Sequence, residues 1–106
     1  VHTTDWQQIA ALYGTLASMT PSAVVEVNRA VAVAMAYGEQ AGLRLLLRLG
    51  AQLEHYYPYH AARADLLRRA GETEAAADAY EQALLHCGNP AERAYLQQRL
   101  SDLNSG

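Results

Sequence analysis

An internal spacing close to 34 residues constrains this chain more than any other feature. Ile9, Leu43 and Ala76 stand 34 and 33 residues apart. Tyr13, Leu47 and Tyr80 repeat the same steps, and so do Leu16, Gly50 and Ala83. Gly38 and Gly71 are 33 apart, each between two stretches of helical periodicity. A unit of this length holds two short helices and a turn, and one such unit cannot bury its apolar face alone. The chain is therefore expected to stack helix pairs, each covering the next, in a quasi-one-dimensional array.

Local signals divide the chain into six helices. The first should start at Thr4, where Thr4-Asp5-Trp6-Gln7 fits a capping box, and stop before Thr20-Pro21. Trp6, Ile9, Ala10, Tyr13 and Leu16 form its stripe. The second takes Ser22 as N-cap and runs to about Tyr37. Val24, Val27, Val31 and Ala34 share a face, and Ala30, Ala32 and Ala36 are small enough to admit another helix. Gly38 is a natural left-handed cap. The third helix runs from about Glu39 to Leu49 on a stripe of Leu43, Leu46 and Leu47, and ends at Gly50. Ala51 to Pro58 is the least regular segment, with Pro58 breaking or restarting the helix.

The fourth helix is expected from about Tyr59 to Ala70, capped by Gly71, and the fifth from about Thr73 to His86, ended by Gly88. Asn89-Pro90 then places an N-cap before a proline at the first helical position, a specific start signal. The sixth helix should run to about Leu103 through Ala94, Leu96 and Leu100, with the last three residues frayed. The expected fold is all-α: tetratricopeptide-like antiparallel helix pairs in a short right-handed superhelix, one domain over residues 1–106. The pattern is best around Gly71, Ala76, Tyr80, Ala83 and Leu84. It is weakest in the middle unit, where Leu43 and Leu47 hold the small and aromatic positions.

Composition excludes several function classes. Apolar residues make up 51% and charged residues 18%, which rules against disorder. The net charge is −3 and lysine is absent, a poor balance for neutralising phosphates, so direct DNA contact by this chain is not expected. Cys87 is the sole cysteine and cannot form an internal disulfide. No apolar run reaches the length of a membrane span, and no signal pattern opens the chain, so the expected compartment is the cytoplasm. The start at Val1 without Met reads as a fragment of something longer.

No constellation for catalysis stands out. The four histidines lack the spacing of convergent ligands, so no metal is expected. Cys87 sits near a helix C-terminus, the wrong dipole end for an activated thiolate. Glycines occur singly at helix ends, not in a phosphate loop, and no cofactor is expected. The candidate surface is the groove between first helices of successive pairs, where Val25, Asn28, Ala32 and Met35 would face Ala61, Asp65, Arg68 and Arg69. Asn28 and Arg29 interrupt an apolar helix. They either satisfy neighbouring helices or grip a peptide backbone and a carboxylate. Tyr56, Tyr57, Tyr59 and His60 either plug an inter-helix loop or form an aromatic contact patch.

Several runs carry a resemblance. Asp5-Trp6-Gln7-Gln8-Ile9-Ala10-Ala11-Leu12-Tyr13, Thr20-Pro21-Ser22 and Val27-Asn28-Arg29-Ala30-Val31-Ala32 are similar to the C-terminal extension of a bacterial group of extracytoplasmic-function RNA polymerase sigma factors. The segments from His60 to Gly71 and from Asn89 to Leu96 resemble the same extension. The resemblance covers nearly the whole chain and implies a non-catalytic regulatory domain. Its partners would be the upstream sigma domains, core polymerase or a regulator. The alternatives are a free-standing tetratricopeptide adaptor and a small-molecule-sensing helical domain.

Overall fold

The computed structural model describes residues 5–20 and 22–104. They form six α-helices and no strand: α1 Trp6–Met19, α2 Ala23–Tyr37, α3 Glu39–Leu49, α4 Tyr57–Arg69, α5 Thr73–Leu85 and α6 Pro90–Asn104. The all-α expectation holds. The Thr4 cap lies outside the described residues. Asp5 caps α1 instead, its carboxylate accepting from the Gln8 N–H at 3.0 Å. Ser22 caps α2 and Asn89 caps α6, accepting from the N–H groups of Val25 and Glu92.

Two boundaries differ from expectation. α4 begins at Tyr57, ahead of Pro58, because a proline in the first turn lacks an N–H that would have had no partner anyway. The turn is already closed by the Tyr59 N–H on the Tyr56 carbonyl at 3.1 Å. α5 ends at Leu85, where the His86 and Cys87 N–H groups turn back to Ala83 and Leu84.

α2 and α3 fold back on one another about a single residue. Gly38 has φ +107, a region that side-chain-bearing residues avoid, and it alone joins the two helices. Positions equidistant from it then meet: Ala34 with Gly42, and Ala30 with Leu46, all buried. A Cβ at position 42 would lie 2.6 Å from the Ala34 Cβ and 2.7 Å from the Ala30 carbonyl oxygen. It would also lie 3.1 Å from a Leu66 methyl on α4. Gly42 is thus the point where three helices converge.

The structure corrects the repeat register. Ala30 and Ala64, Ala32 and Leu66, Gly42 and Ala76, and Leu46 and Tyr80 are buried pairs, each 34 residues apart. Leu47, read from sequence as the partner of Tyr80, is 79% exposed. The two landmark glycines caused the slip. α2 runs to Tyr37 and turns on Gly38 alone, whereas α4 stops at Arg69 and is followed by Ala70, Gly71 and Glu72. The first residues of α3 and α5, Glu39 and Thr73, keep the 34-residue step. The small position of the middle unit is therefore Gly42, not Leu43.

Packing divides into two clusters. Val27, Ala30, Ala34, Leu46, Tyr59 and Leu66 join α2, α3 and α4. Ala64, Leu67, Ala76, Tyr80, Ala83 and Leu96 are central to the second, joining α4, α5 and α6. Leu43 packs against both. Val24, expected on the buried face of α2, is 53% exposed.

The corrected register makes a direct prediction. Leu46→Ala should cost about 2–5 kcal/mol, as a buried leucine does. Leu47→Ala should stay within about 0.5 kcal/mol, as an exposed one does. Gly42→Ala should cost about 1–3 kcal/mol through overpacking. Thermal melts followed by circular dichroism separate the three, at about 4–8 °C for each kcal/mol in a chain of this size.

Candidate partner-binding cleft

The first helices of successive pairs, α2, α4 and α6, enclose an open cleft of about 280 Å³. Val27, Val31, Ala61, Ala62 and Leu96 give its buried and half-buried wall. The small side chains of Ala61 and Ala62 leave the space open. Asn28, Asp65, Glu92 and the phenols of Tyr57 and Tyr95 supply polarity. Helical spacing explains the set: Asn28 and Val31 lie one turn apart on α2, Ala61 and Asp65 on α4, Glu92 and Leu96 on α6.

Arg93 sets the position of α6. Its Nη1 donates to the Leu84 and Cys87 carbonyls at 2.6 and 3.0 Å. It thereby satisfies acceptors left open at the α5 C-terminus. Cys87 is buried at this junction, with its thiol 3.7 Å from the Asn89 carbonyl. α6 is thus held where Glu92 and Tyr95 reach the cleft.

Asp65 is partly committed to the interior. The hydroxyl of the fully buried Tyr80 donates to Asp65 Oδ1 at 2.5 Å and accepts from Arg68 Nε at 3.3 Å. Arg68 also lies 3.7 Å from the Asp65 carboxylate. Burial pushes the Tyr80 phenol up to about 12, reinforced by its hydrogen bond to Asp65. The Tyr57 phenol is raised as well, first by burial and then by the nearby Glu92 carboxylate.

The other sequence candidates separate. Neighbours on a helix point about 100° apart, and Asn28 and Arg29 accordingly act apart. Asn28 is exposed at the cleft, while Arg29 turns to α1, its Nε 3.7 Å from where a Gly14 Cβ would stand. Arg29 forms no ion pair with Glu26 among the described residues. Arg69 donates to the Met35 sulfur at 2.9 Å, tying the ends of α2 and α4 together outside the cleft lining. Val25 and Ala32 do not line the cleft, and Ala32 is only 1% exposed.

Tyr59 and His60 are a correction. They are 5% and 8% exposed and support the fold from within, as a plug under the loop before α4. The helix start at Tyr57 turns both rings inward. Tyr59 joins the α2–α3–α4 cluster. His60 Nε2 meets the Glu54 carbonyl at 2.7 Å, and its ring stacks on His86 at 5.6 Å between centroids. His86 in turn meets His55 edge-on at 5.2 Å. Among the described residues, no group of three His, Cys, Asp or Glu side chains is arranged to hold a metal ion.

Comparison with known proteins adds one relative. The chain is 39% identical over 100 residues to an uncharacterized protein of Rhizobium meliloti (strain 1021). The match covers 94% of this chain, which spans 24% of that protein's length. No family model matches the chain. No solved structure matches it.

The sequence singles out neither Glu92 nor Tyr95 as a cleft residue, and it marks Tyr57 only as part of the aromatic run before α4. The Asn89-Pro90 start held the signal, since counting 3.6 residues per turn from it groups Glu92, Tyr95 and Leu96 on one face of α6.

The Tyr80 network predicts an alkaline transition. An acid with a raised folded pKa lends stability in full below its ordinary value of 10.0 and loses it as pH climbs through about 12. Melting temperature should therefore hold steady up to about pH 10 and fall between about pH 10 and 12. Tyr80→Phe should cost about 0.5–1.5 kcal/mol near neutrality and shrink that fall. Ultraviolet titration should show one of the seven tyrosines ionising last, and that step should vanish in the variant.

Proposed function

We propose that this chain is a regulatory protein-interaction module of an alternative, extracytoplasmic-function-type RNA polymerase sigma factor, built on tetratricopeptide-like repeats. It takes its partner in the cleft between α2, α4 and α6. The observation that carries the reading is Asn28, an exposed amide between Val27 and Val31 in the lining of a cleft whose α4 side is alanine. A carboxamide offers both a donor and an acceptor, the chemistry that matches a peptide backbone. Asp65, Glu92 and the two phenols supply orienting contacts around it. Small apolar floor and sparse polar rim together suit a protein segment.

The sigma-factor part of the proposal rests on the Trp6-to-Tyr13 and Val27-to-Ala32 runs and their likeness to the extension of that group. A relative in which such a segment occupies about a quarter of the length is compatible with a module working beside other domains. The partner is then the upstream sigma domains, core polymerase or a regulator, and the module works in the cytoplasm, where polymerase is. No helix among the described residues is long and apolar enough to cross a membrane. DNA is reached through other domains.

The test is capture of sigma-factor promoter-reading domains and core polymerase by the purified chain, wild type against Asn28→Ala and Arg29→Ala. Asn28→Ala should weaken capture by about tenfold, the loss of one central polar contact, with melting temperature unchanged. Arg29→Ala, directed at α1, should leave capture intact. Equal capture by all three proteins would place the partner elsewhere, and no capture would sink the sigma-factor assignment.

A further inference from the structure

A second surface lies away from the cleft and is independent of it. α3 and α4 border an open groove of about 240 Å³ lined by Gln40, Leu43, Arg44, Leu47, Arg63 and Leu67. Its floor is fixed: Leu67 is buried and Leu43 packs against both core clusters. Leu47 stands out from it at 79% exposure. Leu47 is continuous with the apolar lining of Leu43 and Leu67, so the three leucines form one apolar surface open to an incoming chain.

The charge around the groove runs against the rest of the chain. The chain carries 11 acidic and 8 basic side chains, yet the groove lining has two arginines and no carboxylate. Arg68, Arg69, Arg93 and Arg99 are hydrogen-bonded within the fold. The remaining four arginines form no ion pair or hydrogen bond among the described residues. Two of those four, Arg44 and Arg63, line the groove, and a third, Arg48, stands one turn beyond Arg44 on α3. Cations left unpaired beside an apolar trough call for carboxylates from outside, and guanidinium groups bind these in a bidentate fashion.

We infer that the α3–α4 groove docks an acidic amphipathic helix, its leucine-like stripe on Leu43, Leu47 and Leu67 and its flanking carboxylates on Arg44 and Arg63. A groove between two helices accepts a third through anchors at i, i+3 or i+4, and i+7. Opposite charges at the rim select the partner and speed its arrival. A nucleic acid fits less well, because the floor is aliphatic and the chain is acidic overall. A second copy fits less well too, since a two-fold contact brings the same acid-free lining to both sides and offers the arginines no carboxylate.

The test uses the chain with a fluorescent helical peptide carrying leucines at i, i+3 and i+7 and glutamates on both flanks. Anisotropy titration should give saturable binding. Leu47→Ser, and separately Arg44→Glu combined with Arg63→Glu, should each weaken it by about tenfold or more. Asn28→Ala should not change it, and the same peptide with lysines for glutamates should not bind. Circular dichroism melts confirm that each variant is folded, and Leu47→Ser, at so exposed a position, keeps the test open if the charge variant unfolds. The inference is overturned if the glutamate peptide fails to bind, or if both folded variants bind it as tightly as wild type. It is equally overturned if a single-stranded oligonucleotide binds as well through the same arginines, or if sedimentation shows a dimer that Leu47→Ser abolishes.

Discussion

Everything in this fold depends on how closely α3 can lie on α2. Gly42 sits with no side chain over the Ala30 carbonyl and the Ala34 methyl, and a Leu66 methyl from α4 closes the third side. Dispersion is short-ranged, so a gap of even one methyl would forfeit much of the contact that the alanines make. The convergence fixes α4 against both preceding helices. α4 in turn carries Ala64 and Leu67 into the second cluster with α5 and α6. Gly38 contributes by letting the chain reverse with one residue, which makes the meeting of Ala34 with Gly42 and of Ala30 with Leu46 a matter of simple counting.

The same arrangement gives α4 two different surroundings. One side carries Ala61 and Asp65 to the cleft, and another carries Arg63 and Leu67 to the α3 groove. Asp65 serves the interior as well as the cleft, because its carboxylate accepts from the phenol hydroxyl of a fully buried tyrosine. A buried phenol without a partner would be costly, so Asp65 and Arg68 are held in place by the core before any partner arrives. Asn28 has no such obligation and is free to present its amide.

Much of the architecture was legible in the chain. Caps at Ser22 and Asn89, the glycines between helices and the 3.6-residue stripes located six helices to within a few residues. What misled was the assumption that Gly38 and Gly71 hold equivalent places. A turn of one residue and a turn of three can both hold a glycine, and periodicity alone cannot tell Leu46 from Leu47 when three leucines stand in a row. The candidate site was legible in part. Asn28 and Asp65 were found because polar residues in an apolar stretch are conspicuous. Tyr59 and His60 stayed open between two roles because an aromatic run has the same composition whether it plugs a core or faces a partner. The α3 arginines drew no notice, since their significance lies in the acids that fail to reach them.

The order of contacts along the chain has a kinetic consequence. Apart from α2 with α4, each principal helix contact joins elements adjacent in sequence. Short separations between contacting residues close cheaply and favour fast folding. They also let a stack open from its ends inward. Amides around Gly42 and Leu46, where α2, α3 and α4 converge, are therefore expected to exchange only when those three helices come apart together.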